Sequence, residues 1–227
     1  MKDRTASLPR GLYVIIDPEV ASGRPEEEIA RQAIEGGARL VQLRDKQREK
    51  GLQLAVARRL KEVCAQAGVP LIINDHLDLA LAAEADGVHV GQKDLPVSIV
   101  RRLMPAAIIG CSINNVEEAL RAQADGASYV SVGRLFPTDS KADTRPASLE
   151  TLRAVKQAVR IPVAAIGGIS EENIDAVLAA GADLVAVIGA VVAAPDVREA
   201  AKRLAGRFGI WPQMDTDETR IETGGEA

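Results

Sequence analysis

Eight short apolar runs, each followed by a segment of helical character, constrain this chain more than any other feature. The runs are 12–17 LYVIID, 40–45 LVQLRD, 70–75 PLIIND, 87–92 GVHVGQ, 107–112 AIIGCS, 128–133 SYVSVG, 162–167 PVAAIG and 184–189 LVAVIG. Runs rich in Val, Ile and Leu, with few alternating polar residues, suit strands covered on both faces. Helical segments such as 25–35 PEEEIARQAIE and 51–66 GLQLAVARRLKEVCAQ lie between them. Pro25 followed by Glu26, Glu27 and Glu28 suits a helix start, because proline fits the first turn and acids meet the positive end of the helix dipole. Strand–helix alternation along the whole chain implies a parallel sheet. Eight such units in about 200 residues fit a single (β/α)8 TIM barrel of the α/β class. A doubly wound open sheet is the competing architecture, but no Gly-x-Gly-x-x-Gly follows the first run.

A punctuation mark recurs before every second strand. Gly37-Ala38-Arg39, Ala85-Asp86-Gly87, Gly126-Ala127-Ser128 and Gly181-Ala182-Asp183 precede the second, fourth, sixth and eighth runs. Each reads as a helix end closed by a left-handed residue. A repeat of one strand–helix pair fits a barrel assembled by duplication.

Composition narrows the partners. The chain has 227 residues, 47% of them hydrophobic, which is ample for one large core. The aromatics are Tyr13, Tyr129, Phe136, Phe208 and Trp211, so an aliphatic core is expected and stacking on bases is not. The net charge of -4 and the lack of a basic block argue against nucleic acid. Residues 211–227 carry Asp215, Asp217, Glu218, Glu222 and Glu226 against Arg220. We therefore expect a barrel over 1–210 and an acidic, disordered tail over 211–227. Cys64 and Cys111 form neither a disulfide framework nor a zinc motif. No apolar stretch reaches the ~18 residues of a membrane span. The start MKDRTASLPR lacks the apolar stretch of a secretory signal, so a cytoplasmic protein is expected. A homo-oligomer stays open.

In a barrel of this kind, chemistry sits at the C-terminal ends of the strands. The second strand ends with Gln42, Arg44 and Lys46, which alternation by two places on one side. The third ends in Asn74-Asp75, the fourth in Gln92-Lys93-Asp94, and the fifth supplies Ser112, Asn114 and Asn115. The loop after the sixth, 133–147, brings Thr138, Ser140 and Lys141. Gly167-Gly168 and Ile188-Gly189 follow the seventh and eighth, each before a helix start, the first near Ser170. Glycines admit a ligand to the backbone and helix N-termini present N–H groups, so a phosphate is expected there.

Asp75 and Asp94 end strands one unit apart, where like charges repel. A hard cation such as Mg2+ takes one or two protein carboxylates and fills its shell with water and substrate phosphate. The alternative is that each aspartate caps the helix after it, HLDLALA or LPVSIV. No Ser-His-Asp or Cys-His pair is visible at the strand ends. His89 sits mid-strand and faces either the barrel interior or the helices; Cys111 precedes Ser112. Without a strong nucleophile, the expected chemistry is electrostatic release of a pyrophosphate, stabilised by metal and cations.

The motifs VQLRDK (41–46), IIND (72–75), ADGVHVGQKDLP (85–96), GCS (110–112), VGRLFPTDSK (132–141), AIGGI (165–169) and AVIGA (186–190), in this order over residues 11–207, closely resemble the thiamine-phosphate synthase family. The resemblance implies small-molecule substrates: the diphosphate of an aminopyrimidine methanol and a thiazole ethyl phosphate, in some members carboxylated. Products would be thiamine phosphate and pyrophosphate, formed by a dissociative reaction. It implies that Gln42, Leu43, Arg44, Asp45, Lys46, Asn74, Ser112 and Lys141 contact the pyrimidine diphosphate, with Arg44, Lys46, Ser112 and Lys141 catalytic. Asp75 and Asp94 would hold Mg2+, and Thr138, Asp139, Ser140, Gly168, Ile188 and Gly189 the thiazole phosphate. Three positions depart from the family pattern: Asp45 where Glu is frequent, Asp139 within a hydroxyl-rich loop, and Gly189 where Ser is common. A tautomerase of the same barrel type has no use for the acid pair. A phosphate binder without activity needs polar residues on one side of the mouth alone.

Overall fold

The computed structural model describes residues 8, 10–137 and 146–209. In chain order the elements are β1 (Gly11–Ile16), α1 (Pro18–Ala21), α2 (Glu26–Glu35), β2 (Ala38–Leu43), α3 (Lys50–Gln66), β3 (Leu71–Asn74) and α4 (Leu77–Ala82). They continue with β4 (Gly87–Val90), α5 (Val97–Leu103), β5 (Ile108–Ile113), α6 (Val116–Ala124), β6 (Tyr129–Val132) and α7 (Leu149–Ala158). The last are β7 (Val163–Ile166), α8 (Ile174–Ala179), β8 (Leu184–Val187), α9 (Gly189–Val192) and α10 (Val197–Gly206), followed by a 3-10 turn at Arg207–Gly209. Each strand pairs in parallel with the next, and β8 pairs with β1, so the sheet is the expected closed eight-stranded barrel. Most predicted runs overshoot their strands at the C-terminal end, because the polar tips have already left the ladder. The predicted acidic tail and the loop residues Thr138, Asp139, Ser140 and Lys141 lie outside the described residues.

Alternation along the strands makes two cores. In β1, Leu12, Val14 and Ile16 face the helices and pack with residues such as Ile29, Leu60 and Val191. Tyr13 and Ile15 face inward, with Leu40, Ile72, Tyr129, Ala164, Leu184, Ala186 and Ile188. The outer core is aliphatic as expected, but the inner one is not. Tyr13 and Tyr129 meet edge to face at its centre, ring centroids 6.0 Å apart. A barrel of eight short strands has an interior wide enough for side chains to fill it.

The punctuation mark closes the N-terminal face. Gly37, Gly126 and Gly181 have φ of 103°, 94° and 95°, the left-handed helix ends expected of them. Before β4 that conformation is taken by Glu84 instead (φ 52°), and Gly87 lies in the strand, where a Cβ would collide with the Ile108 carbonyl. The polar residue in three of the four marks has a further role. Asp86, Ser128 and Asp183 accept from the N–H groups of Leu71, Ile109 and Val163, in the first two residues of three odd-numbered strands. Their own N–H groups donate back to the carbonyls of the same three residues. Lys61, Arg101 and Lys156 then bond Asp86, Ser128 and Asp183 from the helices.

Candidate active site

The strand tips surround a cavity of about 910 Å3. Its walls are built from both the predicted and some unpredicted residues. Arg44 and Lys46 rise from the end of β2 and line it, while Gln42, two residues earlier, stays inside the barrel and is 2% exposed. The Arg44 guanidinium is buried against Asp17, which directly follows β1 and is 2% exposed. The other Asp17 oxygen accepts from the Glu19 N–H at 3.1 Å and caps α1. Asp17 therefore holds Arg44 in place, and sequence reasoning missed it. The signal was present: IID at 15–17 ends an apolar run in an acid just as IIND does.

Two residues of the same motif turn away from the cavity. Leu43 is 1% exposed and packs into the outer core. The Asp45 carboxylate accepts from the N–H groups of Gln47 and Arg48 and pairs with the Arg48 side chain, which also reaches Glu26. Although burial opposes it, these hydrogen bonds and the Arg48 charge hold Asp45 below the usual carboxylate range. Its side chain organises the loop, so any contact with a ligand at Leu43 or Asp45 falls to the backbone.

Asp75 and Asp94 both line the cavity, together with Asn74. Asp75 has φ 60°, a left-handed conformation that few residues other than glycine tolerate, and its N–H donates to the His89 carbonyl at 2.8 Å. This bond ties the tip of β3 to β4. Asp94 accepts from the Gly91 N–H at 2.7 Å across the turn after β4. Neither carboxylate caps a helix: α4 starts after His76 and α5 after Pro96, both without a side-chain cap. Burial first, and then the Asp75 carboxylate, hold Asp94 above the usual range, against the pull of the Gly91 N–H and the Lys46 charge. Lys46 Nζ lies 3.4 Å from Asp75. Two facing carboxylates with no helix to cap, one of them strained by the other, are a donor set that fits a hard divalent cation with few protein ligands. Among the described residues no cluster of three or more His, Cys, Asp or Glu gathers elsewhere as a rival metal centre.

The opposite wall comes from β6, β7 and β8. Gly133, Arg134, Gly167, Gly168, Ile188 and Gly189 line it. Gly167 and Gly168 have φ of 101° and 62°. Side chains there would collide with Arg134 and with the Pro137 carbonyl, so these glycines also let the β7 tip lie against the loop after β6. The helix expected near Ser170 begins four residues later, at Ile174, after a turn in which Asn173 bonds the Ser170 N–H and the Gly168 carbonyl. After β8 the expectation is met more closely, since α9 opens at Gly189 itself.

The floor of the cavity decides which way His89 faces. His89 points into the barrel, and its Nε2 lies 2.9 Å from Ser112 Oγ. Ser112 and His89 therefore meet as a pair, with Tyr129 and not an aspartate at the other ring nitrogen. The pair was hidden because the two residues lie on different strands, and the side of β4 that His89 occupies follows only from register. Asn115, read as a strand-end residue, caps α6 by accepting from the Glu118 N–H at 2.8 Å. Gln92 donates to the Ser112 carbonyl at 2.7 Å. Ser131, buried on β6, also lines the cavity and was missed. Cys111 turns to the outer core, and burial pushes its thiol up to about 11, so it stays protonated and unreactive.

Similarity to known proteins identifies the family. Residues 12–191 match the family described as thiamine monophosphate synthase. The thiamine-phosphate synthase of Methanocella arvoryzae is 51% identical over 195 residues, covering 85% of this chain and 92% of that protein. The thiamine-phosphate synthase of Shouchella clausii is 48% identical, covering 86% and 95%. Among solved structures, the thiamine phosphate pyrophosphorylase of Pyrococcus furiosus superposes with a TM-score of 0.82 at 38% identity, over 91% of this chain and 98% of that one. The chain belongs to the thiamine monophosphate synthase family and is a transferase of thiamine biosynthesis.

Proposed function

We propose that the chain condenses a pyrimidine methyl diphosphate with a thiazole ethyl phosphate, or its carboxylated form, by loss of pyrophosphate before the new bond forms. The observation that carries this reading is the division of the cavity. Acids and cations (Asp75, Asp94, Arg44, Lys46) stand on one wall, and glycine backbone (Gly168, Gly189) stands on the other. One wall suits a diphosphate, the other a monophosphate.

On the first wall, Arg44 and Lys46 meet the charge that grows on the diphosphate as its carbon–oxygen bond breaks, which favours the transition state over the bound substrate. Asn74 and Ser112 add hydrogen bonds, and Gln42 borders the floor beneath. Asp75 and Asp94 are the residues that would hold Mg2+, an ion that supplies positive charge to diphosphate oxygens when bound. Lys141 would add a further cation from outside the described residues. The departing electron pair stays on the pyrophosphate, and the aminopyrimidine shares the positive charge left on its methyl carbon.

On the second wall, the backbone at Gly168, Ile188 and Gly189 holds the thiazole phosphate, with Thr138, Asp139 and Ser140 from the adjoining loop. Its task is alignment: the thiazole nitrogen must stand near the methyl carbon when pyrophosphate leaves. Asp139 opposes a phosphate electrostatically, so the backbone and the hydroxyls carry that contact.

The test is pyrophosphate release with both substrates and Mg2+ present. Release that depends on the thiazole phosphate supports the reading. A folded protein that binds both substrates and releases none contradicts it.

A further inference from the structure

Five polar side chains cross the barrel interior in an unbroken series. The Gln42 side-chain amide N–H meets Tyr13 Oη. Tyr13 Oη lies 2.9 Å from Tyr129 Oη, Tyr129 Oη lies 3.0 Å from His89 Nδ1, and His89 Nε2 lies 2.9 Å from Ser112 Oγ. Gln42 and Ser112 are the ends, and both border the lower cavity under the site.

The series has a direction. The Gln42 nitrogen can only donate, so Tyr13 Oη accepts from it. Tyr13 then gives its own proton to its other partner, Tyr129 Oη. Tyr129 in turn gives its proton to His89 Nδ1. A ring nitrogen that accepts carries no proton, which leaves the neutral tautomer protonated at Nε2. That N–H donates to Ser112 Oγ, and the Ser112 proton is left to point into the cavity. Burial pushes both tyrosines well above their ordinary range, so each keeps the proton this series needs.

Gly110 supports the reading independently. It is the first residue of the GCS motif, and it lies in β5 without a left-handed φ. A Cβ at this position would collide with the Tyr129 ring and hydroxyl and with His89 Nδ1. The glycine keeps open the place where Tyr129 and His89 meet.

We propose that Gln42, Tyr13, Tyr129 and His89 form a one-way hydrogen-bond relay that makes the Ser112 hydroxyl an obligate donor to the diphosphate, with Tyr129 and His89 acting as positioning residues. The polarity is opposite to that of a nucleophilic serine, whose histidine must accept its proton. The relay instead ensures that an anionic ligand finds a proton, not a lone pair. This rests on the placement of Ser112 against the diphosphate proposed above.

The chain has two histidines, His76 and His89. Nitrogen NMR of the labelled protein, with His76→Gln to assign the signals, therefore reads the His89 tautomer directly. We expect His89 protonated at Nε2 and bare at Nδ1, both in the wild type and in Tyr13→Phe, where Tyr129 keeps its own proton for His89. In Tyr129→Phe this fixed tautomer is lost. Correspondingly, Tyr129→Phe raises KM for the pyrimidine diphosphate about tenfold, the scale of one hydrogen bond to a charged group. Tyr13→Phe has a smaller effect, although its hydroxyl is as deeply buried. In a Ser112→Ala background, Tyr129→Phe adds nothing. A wild-type His89 protonated at Nδ1, or a Tyr129→Phe effect undiminished by Ser112→Ala, overturns the relay. An unchanged KM in Ser112→Ala alone, with the tautomer as stated, overturns the Ser112 contact and the relay's purpose with it.

Discussion

The Asp75 carboxylate raises the affinity of Asp94 for a proton across the tips of β3 and β4. Backbone holds both residues in place: the Asp75 N–H donates to the His89 carbonyl in β4, and the Asp94 carboxylate accepts from the Gly91 N–H. Two acids fixed this way cost the fold something, a cost that Lys46 beside Asp75 offsets in part and that the proposed cation would offset further.

That cost is measurable. An acid whose folded pKa is raised destabilises the fold above that pKa and not below its unfolded value. Asp94 is charged at neutral pH in the unfolded chain, so removing its charge should help folding. Asp94→Asn is expected to raise the melting temperature in metal-free buffer while lowering turnover sharply. Thermal melts and rates on the same preparation check both signs.

On the proposed reading, Asp17 acts on the substrate through Arg44, which it holds by a buried ion pair. Breaking a buried ion pair by removing one partner costs about 3 kcal/mol or more. Asp17→Ala should lower stability by that order and raise KM for the pyrimidine diphosphate, with little change in KM for the thiazole phosphate. Asp17→Asn, which keeps an oxygen for the Glu19 N–H, should be milder in stability and similar in KM. Steady-state kinetics with each substrate varied in turn separates the two effects.

Gly168 should show the reverse preference. With φ 62° and the Pro137 carbonyl against it, a side chain there displaces the β7 tip. Gly168→Ala is expected to raise KM for the thiazole phosphate more than for the pyrimidine diphosphate. An equal rise in both would place the glycine's role in the fold and not in the second wall.

Asp183 offers a control at the far end of the barrel. It accepts from the Val163 N–H and from Lys156. Asp183→Ala orphans a backbone donor, at about 1–3 kcal/mol. The melting temperature should fall by several degrees, roughly 2–4 °C per kcal/mol for a chain of this size. The turnover number should not change, since the chemistry is at the opposite face.

The thiols should be silent. Burial pushes Cys111 up to about 11 and Cys64 to about 12, so both stay protonated at pH 8. Because the thiolate is the reactive form, an alkylating reagent at pH 8 should leave the native enzyme active. Loss of activity in step with labelling of Cys111 would contradict this.

The strands were legible because a parallel barrel strand is buried on both faces and so reads as a bare apolar run, whereas their order around the barrel came from the pairing in the structure. The polar tips were legible because nothing else ends such runs in Asn-Asp or Gln-Lys-Asp. What escaped was set by geometry between strands. Tyr13, His89 and Tyr129 share the interior only because register brings β1, β4 and β6 around one axis. Asp45 and Asp75 look alike in sequence, each an acid at the end of a run. One folds back onto Arg48 and the other faces the cavity, a difference made by the turn that follows.

The central claim is that Asp75 and Asp94 together form a site for Mg2+ and a diphosphate. Calorimetric titration of Mg2+ in the presence of pyrophosphate tests it without turnover. The account predicts saturable binding by the wild-type protein. It also predicts that Asp75→Asn combined with Asp94→Asn, still folded by its melting curve, shows none. Equal binding by both proteins would contradict the account.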